Sequence, residues 1–342
     1  MKPEYLDKWF PIEKQRQYVS TLVKQNKLTR RRAECFVRLW AYLLIKQQHE
    51  LGKRVVQPLS QLDLLQGAVS CTHREAAELF YANKDRGSDR AAGMMIDQLV
   101  AIGLLEKEFD GQTTCIQILP WQELTNPCQS KEGKAIEIHP DAFNPKTDAV
   151  LVANSIATHY KQNFKACANP HRITRILRTW ATQYPTGMRV LRRCDNLNPV
   201  GIYILYPTTR ESEANLFAPP EKTRFLTADT DTDPFQVAIP GDLDCTCVCM
   251  RAWLIDLPCL NYESVSLFVE DMQKTLIRME DDFPNLCDLY GIAISPAYEQ
   301  LRIAVGFQKT GQDAQGPVQR IYIPTERFLA LDVKQALLHL KF

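Results

Sequence analysis

Basic side chains cluster at two places in this sequence, and both clusters suit contact with an anionic polymer. The first is a run at the start of a helical segment: Arg30, Arg31 and Arg32. The second recurs every three residues beside Trp180: Arg172, Arg175 and Arg178. Phosphates attract closely spaced cations, so both clusters are candidate DNA contacts. An exposed, solvated helix face is the alternative interpretation of each.

Charge is distributed unevenly along the chain, although the net charge is only +1. Residues 1–54 hold thirteen Lys/Arg and five Asp/Glu, and residues 145–224 hold twelve and five. Residues 225–300 hold three Lys/Arg and fourteen Asp/Glu. The basic blocks favour a polyanionic partner, but the acidic block can pair with them within the chain or in a second copy.

Cysteine is the other reactive residue type, with eleven in the chain and no Cys-x-x-Cys pair. This pattern is typical of reduced thiols in a cytosol. Cys245, Cys247 and Cys249 alternate in a predicted strand, so we expect all three on one face of it. A metal or redox site is one interpretation, and small apolar side chains that fill a tight sheet are the favoured one. We therefore expect no metal and no cofactor.

Length and hydropathy define the class of protein. A chain of 342 residues predicts two domains, each able to bury its own core. No apolar run reaches the roughly 18 residues of a membrane span, and the first ten residues lack the apolar stretch of a signal peptide. We expect a cytoplasmic protein that does not cross a membrane.

Helical periodicity and capping signals organise the first third of the chain. Residues 29–49 carry an apolar stripe that predicts a helix. Residues 72–82 predict a second helix, with Thr72 as N-cap and Glu75 placed for a capping box. A third helix is predicted from Ser88 to Gly103. Residues 104–109 and 113–119 then read as two strands around Asp110-Gly111, a strong hairpin signal.

The stretch GSDRAAGMMIDQLVAIGLLEKE resembles the recognition-helix region of bacterial winged helix-turn-helix proteins. It is especially similar to the DNA-reading domain of the bacterial chromosome translocase. The resemblance implies that the helix start faces base edges in the major groove and that the wing tip touches phosphate or the minor groove. The residues at these positions are Ser88, Asp89 and Arg90 at the helix start, and Gln112, Thr113 and Thr114 at the wing tip.

The outward face of this third helix is a poor match to phosphates. It is predicted to present Asp89, Arg90, Gly93, Met94, Asp97 and Ala101, which is one cation and two carboxylates. Carboxylates beside phosphates reduce affinity, so we expect the arginines at positions 30–32 to supply the missing charge. A winged helix that makes only protein contacts is the alternative.

The remaining chain alternates strands and helices, which favours a mixed sheet with helices packed on it. Residues 147–183 are predicted to be helical, and residues 189–193 and 200–206 form a hairpin. An irregular stretch, 207–234, precedes a strand at 244–256 and a helix at 264–282. A strand at 286–295, a short helix at 297–305, a strand at 319–323 and a helical tail at 329–340 complete the prediction.

This order resembles the GCN5-related acetyltransferase superfamily over residues 145–325. The segment SPAYEQLRIAVGF is similar to the family pattern Asn-x-x-Ala-x-x-Leu-Tyr-x-Lys-x-Gly-Phe. The resemblance implies a glycine-containing loop for the acyl-CoA pyrophosphate, but residues 258–263, PCLNYE, contain neither glycine nor a cation. Arg302 falls where the family often has a general-acid tyrosine, and arginine cannot donate a proton usefully near pH 7. Among nearby carboxylates, Glu263 and Asp256 are candidate bases or solvated surface groups.

The sequence therefore predicts an α+β protein: an N-terminal winged helix-turn-helix and a C-terminal mixed α/β acetyltransferase-like domain. The predicted parts are a DNA-binding domain over 1–126 with basic N-terminal helices, a linker over 127–145, and a non-catalytic domain over 146–342. The C-terminal domain is expected to bind a small-molecule effector, form a homodimer or contact DNA.

The leading function is a transcriptional regulator that binds double-stranded DNA and has no catalytic residues. One alternative is an acyl-CoA-dependent N-acyltransferase guided by its winged helix. A plasmid or phage replication or partition protein is the other, and nothing in the sequence separates this role from that of a regulator.

Overall fold

The computed structural model describes residues 5–26, 28–53, 55, 57–81, 87–119, 137–164, 168–218, 226, 232–293, 298–312 and 319–340. The chain divides into two compact units, which we call unit 1 (residues 1–135) and unit 2 (residues 136–342). Helices and a mixed sheet are both present, as the predicted α+β class requires. Across the described ranges, no helix is both long and apolar enough to cross a bilayer.

Unit 1 is helical, with a small antiparallel sheet at its C-terminal end. Its elements are α1 Leu6–Trp9, α2 Ile12–Asn26, α3 Arg30–Glu50, β1 Val69–Ser70, α4 His73–Tyr81, α5 Asp89–Ala101, β2 Leu105–Phe109 and β3 Thr114–Ile118. The sheet order is β1-β3-β2, because the two-residue strand β1 pairs with β3. Helix α3 is central, and its predicted stripe of Phe36, Leu39, Trp40 and Leu43 is fully buried.

Side-chain caps fix the helix starts of unit 1 at the predicted positions. The Glu75 amide donates to Thr72 Oγ1 at 3.1 Å, and the Thr72 amide donates to a Glu75 carboxylate oxygen at 2.8 Å. This is the predicted capping box. Ser88 caps α5 by accepting a hydrogen bond from the Ala91 amide at 3.2 Å. These caps satisfy amides that the first helical turn leaves without a partner.

The Glu75 carboxylate also ties α4 to α3. Its Oε1 accepts hydrogen bonds from the Tyr42 hydroxyl at 2.7 Å and from Lys46 Nζ at 2.8 Å. Burial opposes ionisation of this carboxyl, but the bonds from Lys46, the Thr72 amide and Tyr42 outweigh it and lower its pKa to about 2. The ionised form is therefore stabilised by folding.

Acid should weaken unit 1 through this group. A carboxyl whose pKa falls on folding adds stability above its unfolded pKa of about 4.3, and that stability is lost as pH falls toward 2. We expect the free energy of unfolding of wild type to exceed that of Glu75→Gln near neutral pH, with the difference shrinking between about pH 5 and pH 2. Chemical denaturation across this range measures it. Glu78→Gln is the control, since Glu78 pairs with the exposed Arg74. A pH-independent difference for Glu75→Gln would contradict the prediction.

Unit 2 is built on one seven-stranded sheet. Its strands are β4 Ile138–Ala142, β5 Met188–Arg193, β6 Pro199–Thr208, β7 Cys247–Ile255, β8 Asp288–Ala293, β9 Gln308–Gln312 and β10 Gln319–Pro324. Its helices are α6 Ala149–Phe164, α7 Pro170–Gln183, α8 Arg210–Leu216, α9 Tyr262–Asp282, α10 Glu299–Val305, α11 Thr325–Leu329 and α12 Val333–Leu337. The order is β4-β5-β6-β7-β8-β10-β9. Neighbouring strands are antiparallel except for the parallel pair β7–β8.

Helices cover both faces of this sheet and create two cores. Helices α6 and α7 pack on one face through residues such as Ile156 and Leu177. Helix α9 packs on the other through a predicted stripe: Val265, Phe268, Val269, Met272, Leu276 and Met279. Both faces of β7 are therefore covered, which explains the nearly continuous apolar character of that strand.

The predicted linker is wrong where it overlaps the first strand of this sheet. Residues 138–142 form β4 and pair with β5, with Pro140 opposite Leu191. Proline argued against a strand in the sequence, but β4 is an edge strand, where a missing amide donor is tolerated. Residues 127–136, the first part of the predicted linker, lie outside the described residues.

Three short elements differ from the prediction because their stability comes from context. Helix α8 lies inside the stretch predicted to be irregular, with Glu211 and Glu213 favourably placed in its first turn. Strand β9 is polar and forms by pairing with β10 at the sheet edge. The helical tail predicted at 329–340 is shorter than expected: α12 covers Val333–Leu337 with Asp332 as its cap, and a separate short helix, α11, precedes it.

The three alternating cysteines do not share one face. Strand β7 begins at Cys247, so the alternation of side chains does not extend back to Cys245. Cys247 and Cys249 are buried on the α6–α7 side, whereas Cys245 packs in the α9 core. Within the described part of the chain, no group of three metal-ligating side chains is found. Burial raises the pKa of the Cys245 thiol to about 12, so its thiolate is disfavoured.

Candidate functional site

The exposed start of α5 is the first candidate site. Ser88, Asp89 and Arg90 are all exposed there. One residue of the predicted outward face is not exposed: Gly93 is buried against α4, where a Cβ would lie 3.1 Å from the His73 ring. The prediction for Gly93 is therefore wrong, because α5 packs against His73 at this position.

The charge of α5 is partly compensated by the strand that follows it. Asp97 forms an ion pair with Lys107 on β2. This reduces the acidity of the outward face. Arg90 forms no ion pair with any other described residue, so its guanidinium is available to solvent or a ligand.

The three arginines at the start of α3 are oriented differently from one another. Arg30 is exposed and pairs with Glu34 at 3.0 Å, one helical turn along. Arg31 is exposed and lies over the Tyr81 ring, with its guanidinium carbon 5.2 Å from the ring centroid. Arg32 donates from Nε to Gln98 Oε1 on α5 at 3.3 Å. The fold therefore brings Arg31 and Arg32 beside α4 and α5.

The β2–β3 turn is the third part of this surface. Asp110 is buried, and its carboxylate accepts hydrogen bonds from the amides of Gln112 at 2.9 Å and Thr113 at 2.7 Å. Gly111 has a φ of +94°, which glycine adopts without strain. The turn presents an exposed Gln112 and half-buried Thr113 and Thr114.

A separation of two strands creates the second candidate site, in unit 2. Strands β7 and β8 pair in register from Cys247 opposite Asp288 to Met250 opposite Gly291. Beyond that point β7 continues to Ile255 and β8 continues to Ala293 without pairing to each other. A cavity of about 130 Å³ lies at this separation, which we call the cleft cavity.

The cleft cavity is lined mainly by apolar side chains from both sides of the sheet. Its lining includes Ile156, Trp253, Met272, Leu301, Val305 and Phe307. The polar residues of the lining include His159 on α6, Arg251 on β7, Tyr298 before α10 and Arg302 on α10. It therefore combines an apolar body with a few polar groups, as small-ligand sites do.

Two aromatic residues of the cavity lining contact each other. The Tyr298 ring stacks on the His159 ring with centroids 6.0 Å apart, and its hydroxyl donates to the Ile255 carbonyl at 3.0 Å. Burial lowers the pKa of His159, so this imidazole is neutral near pH 7. Burial also raises the pKa of Tyr298, which keeps the phenol protonated.

The loop between β7 and α9 is poorly suited to a phosphate. Asp256 accepts a hydrogen bond from the Ser155 hydroxyl, and burial raises the pKa of this carboxyl. The Asn261 side chain caps α9 by accepting from the Ser264 amide at 2.9 Å. Pro258 supplies no amide donor. A carboxyl group, a self-capped helix and a proline therefore stand where the family resemblance implies a phosphate cradle.

Two of the three arginines in the second predicted basic cluster donate hydrogen bonds to backbone carbonyls of unit 2. Arg172 donates from Nη1 to the Leu226 carbonyl at 3.2 Å, and Arg178 donates from Nε to the Pro145 carbonyl at 3.3 Å. Arg175 is exposed. Trp180 is buried, with the Arg251 guanidinium stacked 4.7 Å from its ring centroid, so it cannot stack on a base.

Of the residues that line the cleft cavity, the sequence pointed only to Arg302, through its register in the family pattern. His159 follows Ile156 by three positions on a buried helix face, and that spacing was the one available signal. The facing residues on β7 and α9 lie about a hundred positions later in the chain. Their meeting depends on the sheet topology, which periodicity does not provide.

No protein-family model matches this sequence, and no curated protein matches it at a significant level. Solved structures similar to the chain include the apo form of FdhC, a nucleotide-linked sugar GNAT, at 13% identity with a TM-score of 0.36. That match covers 59% of this chain and 95% of FdhC. Ard1 from Thermoplasma volcanium is 10% identical, with a TM-score of 0.34 and coverage of 55% and 97%.

A third similar structure is yncA from Salmonella typhimurium, solved with acetyl-CoA. It is 11% identical, with a TM-score of 0.35 and coverage of 55% of this chain and 94% of that chain. Unit 2 has the mixed α/β architecture that the sequence predicted, and its parallel pair β7–β8 separates past Met250 and Gly291. Its resemblance to the GCN5-related acetyltransferases stays a prediction.

Proposed function

We propose that this protein is a DNA-binding regulator in which unit 1 contacts duplex DNA and unit 2 binds a small ligand. The observation that carries the DNA-binding part is the arrangement α3–β1–α4–α5–β2–β3, with β1 paired to β3. This is the element order of a winged helix-turn-helix, in which the second helix of the pair enters the major groove. Helix α5 occupies that position.

The exposed side chains of unit 1 are consistent with this role. Arg90 stands at the exposed start of α5, and Lys107 compensates Asp97 on the same helix. Arg31 and Arg32 lie beside α4 and α5, where they can contact phosphates on either side of the groove. Phosphate contacts supply affinity and base contacts supply specificity.

Neutralising the first basic cluster tests this proposal. We expect the triple variant Arg30→Ala, Arg31→Ala and Arg32→Ala to bind all duplexes more weakly and by similar factors. The slope of log affinity against log salt should fall by about 0.9 for each phosphate that the variant no longer neutralises. Fluorescence anisotropy with the full chain and labelled duplexes, between about 50 and 200 mM salt, measures both quantities.

The matched control changes two exposed cations in unit 2, Lys274→Ala and Arg278→Ala on α9. This variant should keep both the wild-type affinity and the wild-type slope. An unchanged slope in the triple arginine variant would mean that these arginines do not contact phosphate. Failure of the wild-type protein to bind any duplex would refute the DNA-binding part altogether.

The regulatory role rests on the presence of a ligand-sized cavity in the same chain as the DNA-binding unit. A replication or partition protein has no evident need for such a cavity. Genome-wide mapping of bound DNA separates the roles. We expect sites upstream of genes, whereas one cluster of sites at an origin or partition locus would favour the alternative.

Acyl transfer is a second candidate function, and one feature of unit 2 favours it. Where β8 separates from β7, the Ile255 amide and carbonyl bond to the Tyr298 hydroxyl instead of to a neighbouring strand. The amides of a pantetheine arm can pair with this strand edge when they displace the hydroxyl. The neutral His159 can accept a proton from an attacking amine. The fold of unit 2 agrees with this candidate.

Acetyl-CoA binding distinguishes the two candidates. We expect no binding at micromolar concentrations, because Asp256 and Pro258 occupy the loop where a pyrophosphate would need amides and cations. Isothermal titration calorimetry with the full chain measures it. Micromolar binding, together with acetylation of an amine that His159→Ala abolishes, would establish the acyltransferase instead.

A further inference from the structure

A buried arginine in the lining of the cleft cavity, Arg302, lacks the bidentate carboxylate that Arg189 and Arg192 have. The Arg302 side chain is only 10% exposed. Its Nη1 donates to Gln319 Oε1 at 2.8 Å, and its Nη2 lies 3.5 Å from Glu299, whose side chain is 56% exposed. Its Nε is buried and has no acceptor among the residues that the structure describes.

Other arginines of unit 2 show how this fold normally compensates a buried guanidinium. Arg192 makes two hydrogen bonds to Asp148, at 3.0 and 2.9 Å. Arg189 makes two to Asp271, both at 2.9 Å. A bidentate carboxylate is the strongest partner for a guanidinium, and a buried charge without one is costly. Arg302 has a neutral amide and a distant, solvent-screened carboxylate in its place.

The space beside Arg302 has the size and character of an apolar ligand. The cleft cavity, at about 130 Å³, is similar to cavities that hold a benzene molecule. Its walls near α10 are hydrophobic, formed by Val305, Phe307 and Phe328 among others. None of the lining residues is a carboxylate: His159 is neutral, the Tyr298 hydroxyl is bonded to Ile255, and Arg251 is a second cation that pairs with Asp233.

We propose that the cleft cavity binds a small apolar carboxylate, with its carboxylate on Arg302 and its hydrocarbon body against the walls formed by α9, α10 and β10. An aromatic monocarboxylic acid of benzoate size is the class of ligand that fits. The inference deepens the proposed ligand-binding role of unit 2 and identifies the chemistry of the effector. It is independent of whether unit 1 binds DNA.

Benzoate and its neutral isostere benzamide test this inference in the wild-type full chain. We expect benzoate to bind at least about tenfold more tightly than benzamide, because only the carboxylate can form a charge-assisted pair with the guanidinium. Isothermal titration calorimetry measures both affinities. No benzoate binding up to about 10 mM, or equal affinities for the two compounds, would overturn the proposal.

Variants then locate the site. Arg302→Gln should abolish the preference for benzoate, and Arg302→Lys should keep part of it because one cation remains. The control Arg278→Gln changes an exposed arginine on α9 and should behave like wild type. If Arg302→Gln keeps the full preference, the anion binds elsewhere and the proposal fails. Should Arg302→Gln not fold, the wild-type comparison and Arg302→Lys still decide the question.

The benzoate experiments and the DNA-binding experiments test separate proposals. Benzoate binding without any DNA binding would leave this inference intact and refute the regulator. DNA binding without benzoate binding would refute this inference and leave the proposed DNA binding of unit 1 intact. If both occur, adding about 10 mM benzoate to the anisotropy assay should change the DNA affinity of wild type and leave that of Arg302→Gln unchanged.

Discussion

Replacing Asp148 by alanine should destabilise the protein by about 3–5 kcal/mol, the largest effect that we expect from a single change. Asp148 and Arg192 are both fully buried, with side chains 0% and 1% exposed, and their two hydrogen bonds join β5 to the start of α6. Removing the carboxylate leaves a guanidinium in the interior without its main partner. Urea unfolding followed by circular dichroism measures the change in the free energy of unfolding.

Asp141 provides a matched control on the same arginine. It accepts from Arg192 Nε at 2.9 Å, but its side chain is 42% exposed. Asp141→Ala should therefore cost no more than about 1 kcal/mol, as exposed ion pairs do. If Asp148→Ala and Asp141→Ala lower the free energy of unfolding by the same amount, burial does not strengthen the contribution of the Asp148–Arg192 pair.

A double variant distinguishes the contribution of the two buried charges from that of side-chain packing around them. Arg192→Met with Asp148→Leu removes both charges and keeps apolar volume, and such exchanges are often neutral or stabilising. We expect it to recover most of the stability lost in Asp148→Ala. This pair also fixes the N-terminal end of α6, the helix that carries His159 into the cleft cavity. The same double variant therefore tests whether α6 needs the charge pair for its position.

Features that depend on neighbouring residues in the chain could be predicted from the sequence. The Thr72–Glu75 capping box, the Ser88 cap and the turn at Asp110-Gly111 all involve residues within three positions of each other. Local hydrogen bonds of this kind are decided by residue type and spacing, so the sequence contains the full information. The helices and hairpin that they delimit are confirmed.

Features that depend on distant partners could not be predicted. Strand β1 has two residues and exists through its pairing with β3, about 45 positions later. Strand β4 contains a proline that is acceptable because no further strand pairs on its outer side in the described sheet. In both cases the local sequence is neutral or unfavourable, and tertiary pairing decides the outcome.

The candidate sites also differ in whether local sequence or distant partners determine them. The start of α5 and the β2–β3 turn were located from the sequence because they lie at the ends of predicted elements. The cleft cavity was not, because it arises where β7 and β8 separate and collects side chains from residues 156 to 328. Register alone placed Arg302 at a functional position of the family. Its incomplete pairing became evident only from its burial and its neighbours.

Arg90→Ala should relax the preference of the protein at one base pair of its DNA site. A bidentate contact between arginine and guanine is worth about 1–3 kcal/mol of discrimination, which is a factor of about 5 to 150. Arg90 is exposed at the start of α5, which is the recognition helix in the proposed function, and the start of such a helix reads bases. Selection of bound duplexes from random DNA, with wild type and variant in parallel, measures the preference at each position.

The β2–β3 turn, which is the wing in the proposed function, provides a comparison with Arg90. Thr113→Ala and Thr114→Ala change half-buried side chains near the tip of the β2–β3 turn, where contact with the backbone of DNA is expected. These variants should bind more weakly without a change in the selected sequence, because phosphate contacts position a protein and carry no base information. A change of consensus in either threonine variant would mean that the wing reads bases.

Pairing of Arg90 within its own helix is the competing explanation for this arginine. Asp89 is adjacent in sequence and does not face it, while Asp97 is seven residues along and pairs with Lys107. Helix geometry therefore leaves Arg90 without a well-placed carboxylate on α5, which favours a role in recognition. If Arg90→Ala selects the same consensus as wild type, base readout lies elsewhere on unit 1. Gln98, exposed on α5 and bonded to Arg32, is then the next residue to change.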